Sequence, residues 1–373
     1  MRNYKLKILR KEINKIDFKL AKLLEKRIKL VDEINYLKDK LNLPLTSKKR
    51  EKEIINNLSS IVKDVFLKDF LIDIYENIFE ISKKRRRLKN CKINFSKIGI
   101  IGLGLIGGSI AKTLKFIDKK IKIFGLKEKD KDAKKAYKEK IIDEVCSLSQ
   151  IIKNSELIIL SVPIELIVEI SKKIEKIEKE VKDKVLVIDT GSVKKNIVEE
   201  FERLSNEKIE FLGTHPMAGS HKTGFENSKV GLFLNHPWII TPHKKNKNIS
   251  INKIYNFVKN LGSKPFILPP EKHDKIVAFV SHLNYLLVLS FFAYIYENNK
   301  DYLKYAGTGF KTTTRLVNSN PFMWKQIFLN NYDNITRGKK EFIKFLKEFK
   351  LEKDNFLKIT KKYKKINSTL FNL

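Results

Sequence analysis

The run Gly102-Leu103-Gly104-Leu105-Ile106-Gly107 carries three glycines at the spacing with which a backbone wraps a pyrophosphate. The first glycine makes the tight bend, the second lets the anion approach the main chain, and the third lets helix and strand pack closely. Free N–H groups and the dipole of the following helix start hold the negative charge. Glycine spacing alone is a weak signal, but here the flanks strengthen it. Lys97-Ile-Gly-Ile-Ile101 reads as a strand and Ile106 to Leu114 as a helix. Val162 and Pro163, at the end of another apolar run, belong beside the same loop. The second strand of such a unit normally ends in an acidic residue that takes the ribose hydroxyls. Here that end carries Lys127 followed by Glu128. A lysine there suits a 2′-phosphate and Glu128 a ribose, so the choice between NAD and NADP stays open, with NAD ahead.

A dinucleotide dehydrogenase acting on an alcohol carbon needs a base for the hydroxyl proton and a cation for a substrate carboxylate. Four segments offer them: Asp189-Thr-Gly-Ser-Val-Lys194, Gly213-Thr-His-Pro-Met-Ala-Gly219, Glu271-Lys-His-Asp274 with Ser281-His-Leu283, and Gly307 to Arg315. The first two follow predicted strands, at the carboxyl edge of the sheet where ligands bind. His273 with Asp274 reads as ordering a helix start, and His282 as either a buried core residue or a ligand. His236 and His243 read as loop residues.

A second set of charges lies near the N-terminus: Arg10, Arg27, Lys38, Arg50 and Glu51. Residues 5–41 hold no Pro or Gly and repeat apolar residues at helical spacing, which predicts a rod of about 37 residues, or ~55 Å. At 100° per residue Arg27 and Lys38 are ~20° apart and share a face, whereas Arg10 lies ~100° round from Arg27. One rod cannot easily collect all three in one pocket, but a partner rod can bring Arg10 across. Nothing in the first 90 residues covers such a rod alone, so a homodimer is expected. Pro44 ends the rod, and helices over about 47–60 and 66–86 follow. The charged stretch 83–97 reads as a linker.

From residue 97 short apolar runs alternate with helices: 98–101, 121–126, 157–162, 185–188 and 210–212 read as buried parallel strands. Runs at 238–241 and 264–268 extend the sheet, with a helix over 251–261 between them. Beyond Pro270 the chain reads as helical to its end. The expected fold is therefore multidomain: an all-α N-terminal domain over 1–90, an α/β Rossmann dinucleotide-binding domain over 97–270, and an all-α substrate-binding and dimerisation domain over 271–373.

The chain of 373 residues has a formal charge of +34, but only ten of its 77 Lys and Arg are Arg, and they are scattered along it. No face gathers Arg with aromatics, so no nucleic-acid partner is expected. The densest run is Lys83-Lys-Arg-Arg-Arg87. Cys91 and Cys146 are too few for a disulfide framework or a metal site, which implies no metal and a reducing, cytoplasmic setting. Ile276–Tyr296 is apolar enough to resemble a membrane span, yet Ser281, His282 and Asn284 in its first half favour a buried helix at an interface. No membrane partner is expected.

In order, and after this glycine loop, the segments of residues 97 to about 345 resemble prephenate dehydrogenases. The resemblance implies that His215 accepts the proton of the ring hydroxyl while hydride leaves that carbon. It makes Ser192 the serine bonded to the same hydroxyl and Arg315 the partner of the ring carboxylate. It places Ser281, His282, Tyr285, Trp324 and His221 around the substrate. The chain departs from some relatives at His221, at Asn284-Tyr285 and at Thr312, positions that shape recognition of the substrate side chain, so prephenate and its amino analogue arogenate both stay open.

Over residues 5–86 the pattern Leu9-Arg-Lys-Glu-Ile13, Asp17, Lys26-Arg27, Lys38, Pro44 and Arg50-Glu51 resembles the all-helical chorismate mutases. That resemblance implies that Arg10, Arg27 and Arg50 bind the chorismate carboxylates, Lys38 reaches the ether oxygen and Glu51 holds the hydroxyl. Ser82 falls on a pocket serine. Arg86 stands where that family often has Gln or Glu, either donating to the ether oxygen or serving as a charged helix end. A mutase followed by a prephenate dehydrogenase is the layout of bifunctional enzymes of tyrosine synthesis, in which the first product is the second substrate.

Overall fold

A computed structural model describes residues 2–44, 47–126, 131–220, 222–349 and 355–371. Helix α1 (Arg2–Lys40) is the rod, ~58 Å at 1.5 Å per residue. Helix α3 (Val65–Lys89) folds back beside it, and α2 (Lys48–Ile61) packs on α3. Each has the start signal expected of it: the Ser47 hydroxyl accepts from the Arg50 N–H, and the Asp64 carboxylate from the Leu67 N–H. Most large apolar residues of α1 remain exposed, Ile13, Ile16, Leu20 and Leu23 among them.

The first half of the stretch read as a charged linker, residues 83–89, is helical. Helix α3 continues to Lys89 because the basic run finds partners within the fold. The Arg85 guanidinium donates to both oxygens of Asp32, Lys89 joins the same carboxylate, and Arg86 donates to Asn35 and Asp39. Arg87 donates to Asn235, and Leu88, only 1% exposed, packs near Gly231 and Gly262. The all-α unit is thus tied to the next domain by the buried Leu88 and the exposed Arg87–Asn235 bond, and the true connection is the short stretch 90–96.

The central sheet is built from β1 (Lys97–Ile101), α4 (Leu105–Ile117), β2 (Lys122–Leu126), α5 (Lys131–Lys138), β3 (Glu144–Cys146), α6 (Leu148–Asn154), β4 (Leu157–Leu160), α7 (Ile164–Ile177), β5 (Val185–Asp189), α8 (Lys195–Leu204), β6 (Ile209–Pro216), β7 (Pro237–Thr241), α9 (Asn248–Asn260) and β8 (Lys264–Ile267). Strand order is β3-β2-β1-β4-β5-β6-β7-β8. All pairs are parallel except β6 with β7. Alternate residues enter opposite cores: Ile98, Ile100 and Ile159 one, Ile101, Ile158 and Leu160 the other. Covering on both faces explains why the strands read as unbroken apolar runs.

Helices α10 (Pro270–Val277), α11 (Leu283–Asn299), α12 (Thr308–Thr314), α13 (Pro321–Asn330), α14 (Tyr332–Glu348) and α15 (Phe356–Phe371) complete the chain. A π-helical turn, Ala278–His282, joins α10 to α11. Among the described residues one helical stretch, Pro270–Tyr305, is long and apolar enough to cross a membrane. Eight of its residues are buried, Leu283, Tyr285 and Val288 of α11 among them. Tyr285, Trp324 and Ile327 join the core beneath α7 and α8, which seats the C-terminal helices on the sheet domain.

Candidate functional site

The order of the sheet reverses between β1 and β4, and at such a switch point the carboxyl ends of the strands open a crevice for a ligand. Gly102 leaves β1 with φ +92°, the left-handed region that glycine alone enters cheaply. A Cβ there would collide with the Ser161 carbonyl oxygen and come 2.7 Å from Val162, and one at Gly107 would collide with the Gly102 carbonyl oxygen. Gly104 is the N-cap of α4 and has no side chain to cap the helix; a Cβ on it would meet only the Asp132 carboxylate, at 3.8 Å. Leu103 is buried beneath the loop, whereas Leu105 and Ile106 are half-buried at its lip. Pro163 caps α7 on the far side of the switch. A backbone cradle of this shape, closed to side chains at Gly102 and Gly107 and open at Gly104 beside the helix N-terminus, fits a dinucleotide pyrophosphate. Lys127 and Glu128 lie outside the described residues, as does His221.

The chemistry-bearing side chains cluster on β5, β6 and α10. His215 sits inside β6, opposite Ile239 of β7, so the strand runs further than the apolar pattern suggests. Its Nδ1 lies 2.9 Å from Nε2 of His273, whose Nδ1 lies 2.7 Å from Oδ1 of Asp274. Asp274 does order a helix start, but that of α8: its two carboxylate oxygens accept the N–H groups of Lys194 and Lys195. His273, expected to serve only its own helix, instead meets His215. Two residues 58 positions apart in sequence give no local sign of that contact.

Ser192 is half-buried in the loop between β5 and α8. Its place is fixed by a pair the sequence reading did not single out, Asp189 with Lys194, both fully buried. The Asp189 carboxylate accepts the N–H groups of Gly191 and Thr214 and the Lys194 ammonium, which also donates to the Thr214 carbonyl at 2.9 Å. These bonds lock the end of β5 to the end of β6, and so Ser192 to the segment bearing His215. Burial pulls the Lys194 ammonium below its usual range, against the opposing effect of Asp189. Removing the lysine leaves a buried carboxylate without its counter-charge. Lys194→Ala is therefore expected to cost roughly 3–5 kcal/mol in urea unfolding, and a loss below about 1 kcal/mol would rule out this role.

His282 is buried and its Nδ1 lies 3.2 Å from the Asn331 amide nitrogen. Trp324 stacks on Tyr285 with ring centroids 3.7 Å apart and meets His282 edge-on. Ser281 is half-buried in the π-helical turn, a device frequent at functional sites. Arg315 is exposed where α12 ends, next to Leu316, which packs on the Tyr285–Trp324 cluster.

Burial, followed by the neighbouring His273 and Lys194, holds His215 well below its ordinary value. Burial likewise lowers His273, and lowers His282 to about 4. Groups with depressed folded values refuse protons that the unfolded chain accepts, so the unfolded state gains as pH falls below about 6.5. Folding stability should therefore drop between pH 6.5 and about 4, with His282 alone contributing roughly 3 kcal/mol by the lower limit. Denaturant titrations at pH 7.5, 6 and 5 measure this, and a midpoint that rises on acidification would refute it.

In the all-α unit, Arg27 of α1 lies over Phe79 and Tyr75 of α3, at 5.6 and 5.9 Å from their ring centroids. Its Nη1 and the Nε of Arg86 are buried without a hydrogen-bond partner. Two guanidinium donors turned inward and unsatisfied fit an anionic ligand. Glu51 approaches through Lys83, at 3.2 Å, and the Ser82 hydroxyl donates to the Ile78 carbonyl. Lys38 is half-buried on the same rod. Arg50 is exposed and pairs with Glu53, and Arg10 is exposed 17 residues from Arg27, ~25 Å along the helix. One chain thus carries Arg27, Glu51, Ser82 and Arg86 on the three helices of one unit but leaves Arg10 apart.

Comparison with known proteins gives three family matches in one order. Residues 9–87 match chorismate mutase type II, residues 110–267 the nucleotide-binding domain of prephenate dehydrogenase, and residues 269–356 its dimerization domain. Over 264 residues the chain is 34% identical to the prephenate dehydrogenase of Lactococcus lactis subsp. cremoris, covering 69% of this chain and 71% of the relative. It is 26% identical to the T-protein of Haemophilus influenzae, covering 58% and 53%. Its fold is similar to that of the A. aeolicus prephenate dehydrogenase solved with hydroxyphenyl propionate and NAD+, with a TM-score of 0.65 and 28% identity over 75% of this chain and 99% of that one.

Proposed function

We propose, on the premise that this chain belongs to the prephenate dehydrogenase family, that it is a T-protein-like bifunctional enzyme of tyrosine biosynthesis. It rearranges chorismate to prephenate and then oxidatively decarboxylates prephenate to 4-hydroxyphenylpyruvate. The observation that carries this reading is the presence, in one chain and in this order, of a chorismate mutase domain and both dehydrogenase domains.

In the first reaction the substrate is a dianion that rearranges without acid, base or covalent help. The protein needs cations to fold it and donors where negative charge develops at the ether oxygen. Arg27 and Arg86 supply inward donors, Lys38 reaches the ether oxygen, Glu51 and Ser82 hold polar groups, and Arg50 and Arg10 complete the carboxylate contacts. A second copy brings Arg10 in and covers the exposed apolar side of α1, while Phe291, Tyr294 and Tyr296 of α11 add to the same homodimer.

In the second, NAD bound on Gly102–Gly107 beside Val162 and Pro163 supplies the hydride acceptor. His215 is kept neutral by burial and takes the proton of the ring hydroxyl as that carbon is oxidised. Ser192 hydrogen-bonds the same oxygen, and Arg315 pairs with the ring carboxylate. Loss of that carboxylate as CO2 returns its electron pair to the ring, which becomes aromatic as its oxygen regains the proton from His215, so the step does not reverse. Ser281, His282, Tyr285 and Trp324 shape the pocket. NAD and prephenate are the proposed pair, with domains divided at 1–90, 97–270 and 271–373 and a cytoplasmic setting that suits free Cys91 and Cys146.

A steady-state comparison of prephenate and arogenate, each with NAD and with NADP, tests the assignment. The highest kcat/KM should fall on prephenate with NAD. A higher value for arogenate would reassign the substrate, and a higher value for NADP would give Lys127 the 2′-phosphate.

A further inference from the structure

We infer that Asp274 and His273 are positioning residues that fix the tautomer of His215. His215 is taken as the base, as proposed above, and one chain of contacts fixes where its protons sit. The Asp274 carboxylate accepts backbone N–H groups at both oxygens, from Lys194 at 2.7 Å and from Lys195 at 2.9 Å. It is therefore an acceptor toward His273 as well, so the His273 nitrogen facing it, Nδ1, carries a hydrogen. In a neutral imidazole the other nitrogen, Nε2, then offers a lone pair. That lone pair faces Nδ1 of His215 at 2.9 Å, and a hydrogen bond there requires the hydrogen to sit on His215 Nδ1. The remaining nitrogen of His215, Nε2, is left unprotonated, which is the form a general base needs.

Burial favours this neutral state for both rings, since each is held below its ordinary value. The anchor is shared with the serine. Asp274 caps the start of α8, three residues beyond Ser192, so one carboxylate sets both the tautomer of the base and the loop of its hydroxyl partner. Asn331, at the corner between α13 and α14, donates to the Asp274 carbonyl and holds the segment from the C-terminal side. With His215 protonated by substrate, the same contact lets its Nδ1–H stay bonded to His273 without any rearrangement.

The tautomer is read directly by long-range proton–nitrogen correlation NMR on the full-length protein labelled with 15N-histidine, the His215 signals being assigned by their loss in His215→Asn. In the wild type the hydrogen should be on Nδ1. His273→Leu, which removes the acceptor, should move it toward Nε2 and lower kcat for prephenate oxidation roughly a hundredfold, within the contribution of a poised general base. KM for prephenate should change by less than about threefold, and mutase activity, which reports folding of the remainder, should be unaffected. His273→Gln, whose side-chain carbonyl can accept the same hydrogen, should recover most of kcat.

A wild-type His215 carrying its hydrogen on Nε2 would overturn the inference. So would a His273→Leu enzyme with unchanged kcat, or a His273→Gln enzyme no better than His273→Leu. Should His273→Leu fail to fold, the wild-type spectrum and the His273→Gln variant still decide. The spectrum needs no substrate, so an enzyme that oxidises neither prephenate nor arogenate would refute the functional reading while leaving the tautomer to be judged separately.

Discussion

Replacing His215 by asparagine is expected to reduce the NAD-dependent oxidation of prephenate by at least 10²–10⁴-fold, the range a positioned general base contributes, and to leave chorismate mutase activity within about twofold. Asparagine occupies less space than imidazole and makes no proton acceptor of comparable basicity, so the hydroxyl proton has nowhere to go. The effect should fall on kcat rather than KM, because His215 is 8% exposed and acts on the reacting oxygen rather than on the carboxylate. Separate sites predict the sparing of the mutase: His215 is in β6, while Arg27 and Arg86 lie between α1 and α3. Steady-state assays of both activities on one preparation measure this. Near-normal NADH formation would remove His215 from its role, and equal loss of both activities would show a folding defect or a shared site.

The reciprocal variant is expected to separate the activities in the other direction. Arg27→Ala should lower mutase kcat/KM by roughly 10²–10³-fold, the cost of removing one preorganised donor at a developing charge. Its guanidinium spans Phe79 and Tyr75 and keeps Nη1 buried without a partner, so the fold already bears the cost of holding that donor ready. Oxidation of added prephenate should be unchanged. Arg27→Lys keeps the charge but loses the planar fork, and should restore only part of the activity. If Arg27→Ala retained mutase activity, Arg27 would lose its place in that site; a wild-type protein that left chorismate intact would make the N-terminal domain a dimerisation module only, and the bifunctional reading would fail.

Local physics made some parts of this molecule legible in sequence and not others. The rod α1 was readable because helical spacing needs no partner to be seen, and the glycine loop because its turn has few chemical solutions. Strand β3 was not, being three residues with one buried side chain, too short for periodicity to register. The basic run 83–87 looked like a linker because charges ordinarily seek water, yet Asp32 and Asp39 satisfy it from about 50 residues away. The contact of His273 with His215 gave no sign in sequence: a His-Asp pair at a helix start has a local explanation, and only the fold brings His215 to it. Asp189 and Lys194 offered one overlooked clue, two opposite charges five apart beside an apolar strand, where burial without pairing would be prohibitive. Pocket residues that a second copy would supply, as proposed for Arg10, are beyond what one chain can place.

The central claim is that both reactions belong to one protein, and one experiment addresses it. Full-length enzyme is given chorismate alone until it is consumed, then excess NAD, while prephenate, NADH and 4-hydroxyphenylpyruvate are followed. Chorismate should convert to prephenate before NAD is added, and NADH and 4-hydroxyphenylpyruvate should then form in equal amounts, one per chorismate consumed. Chorismate left intact, or prephenate that persists with NAD present, would contradict the account.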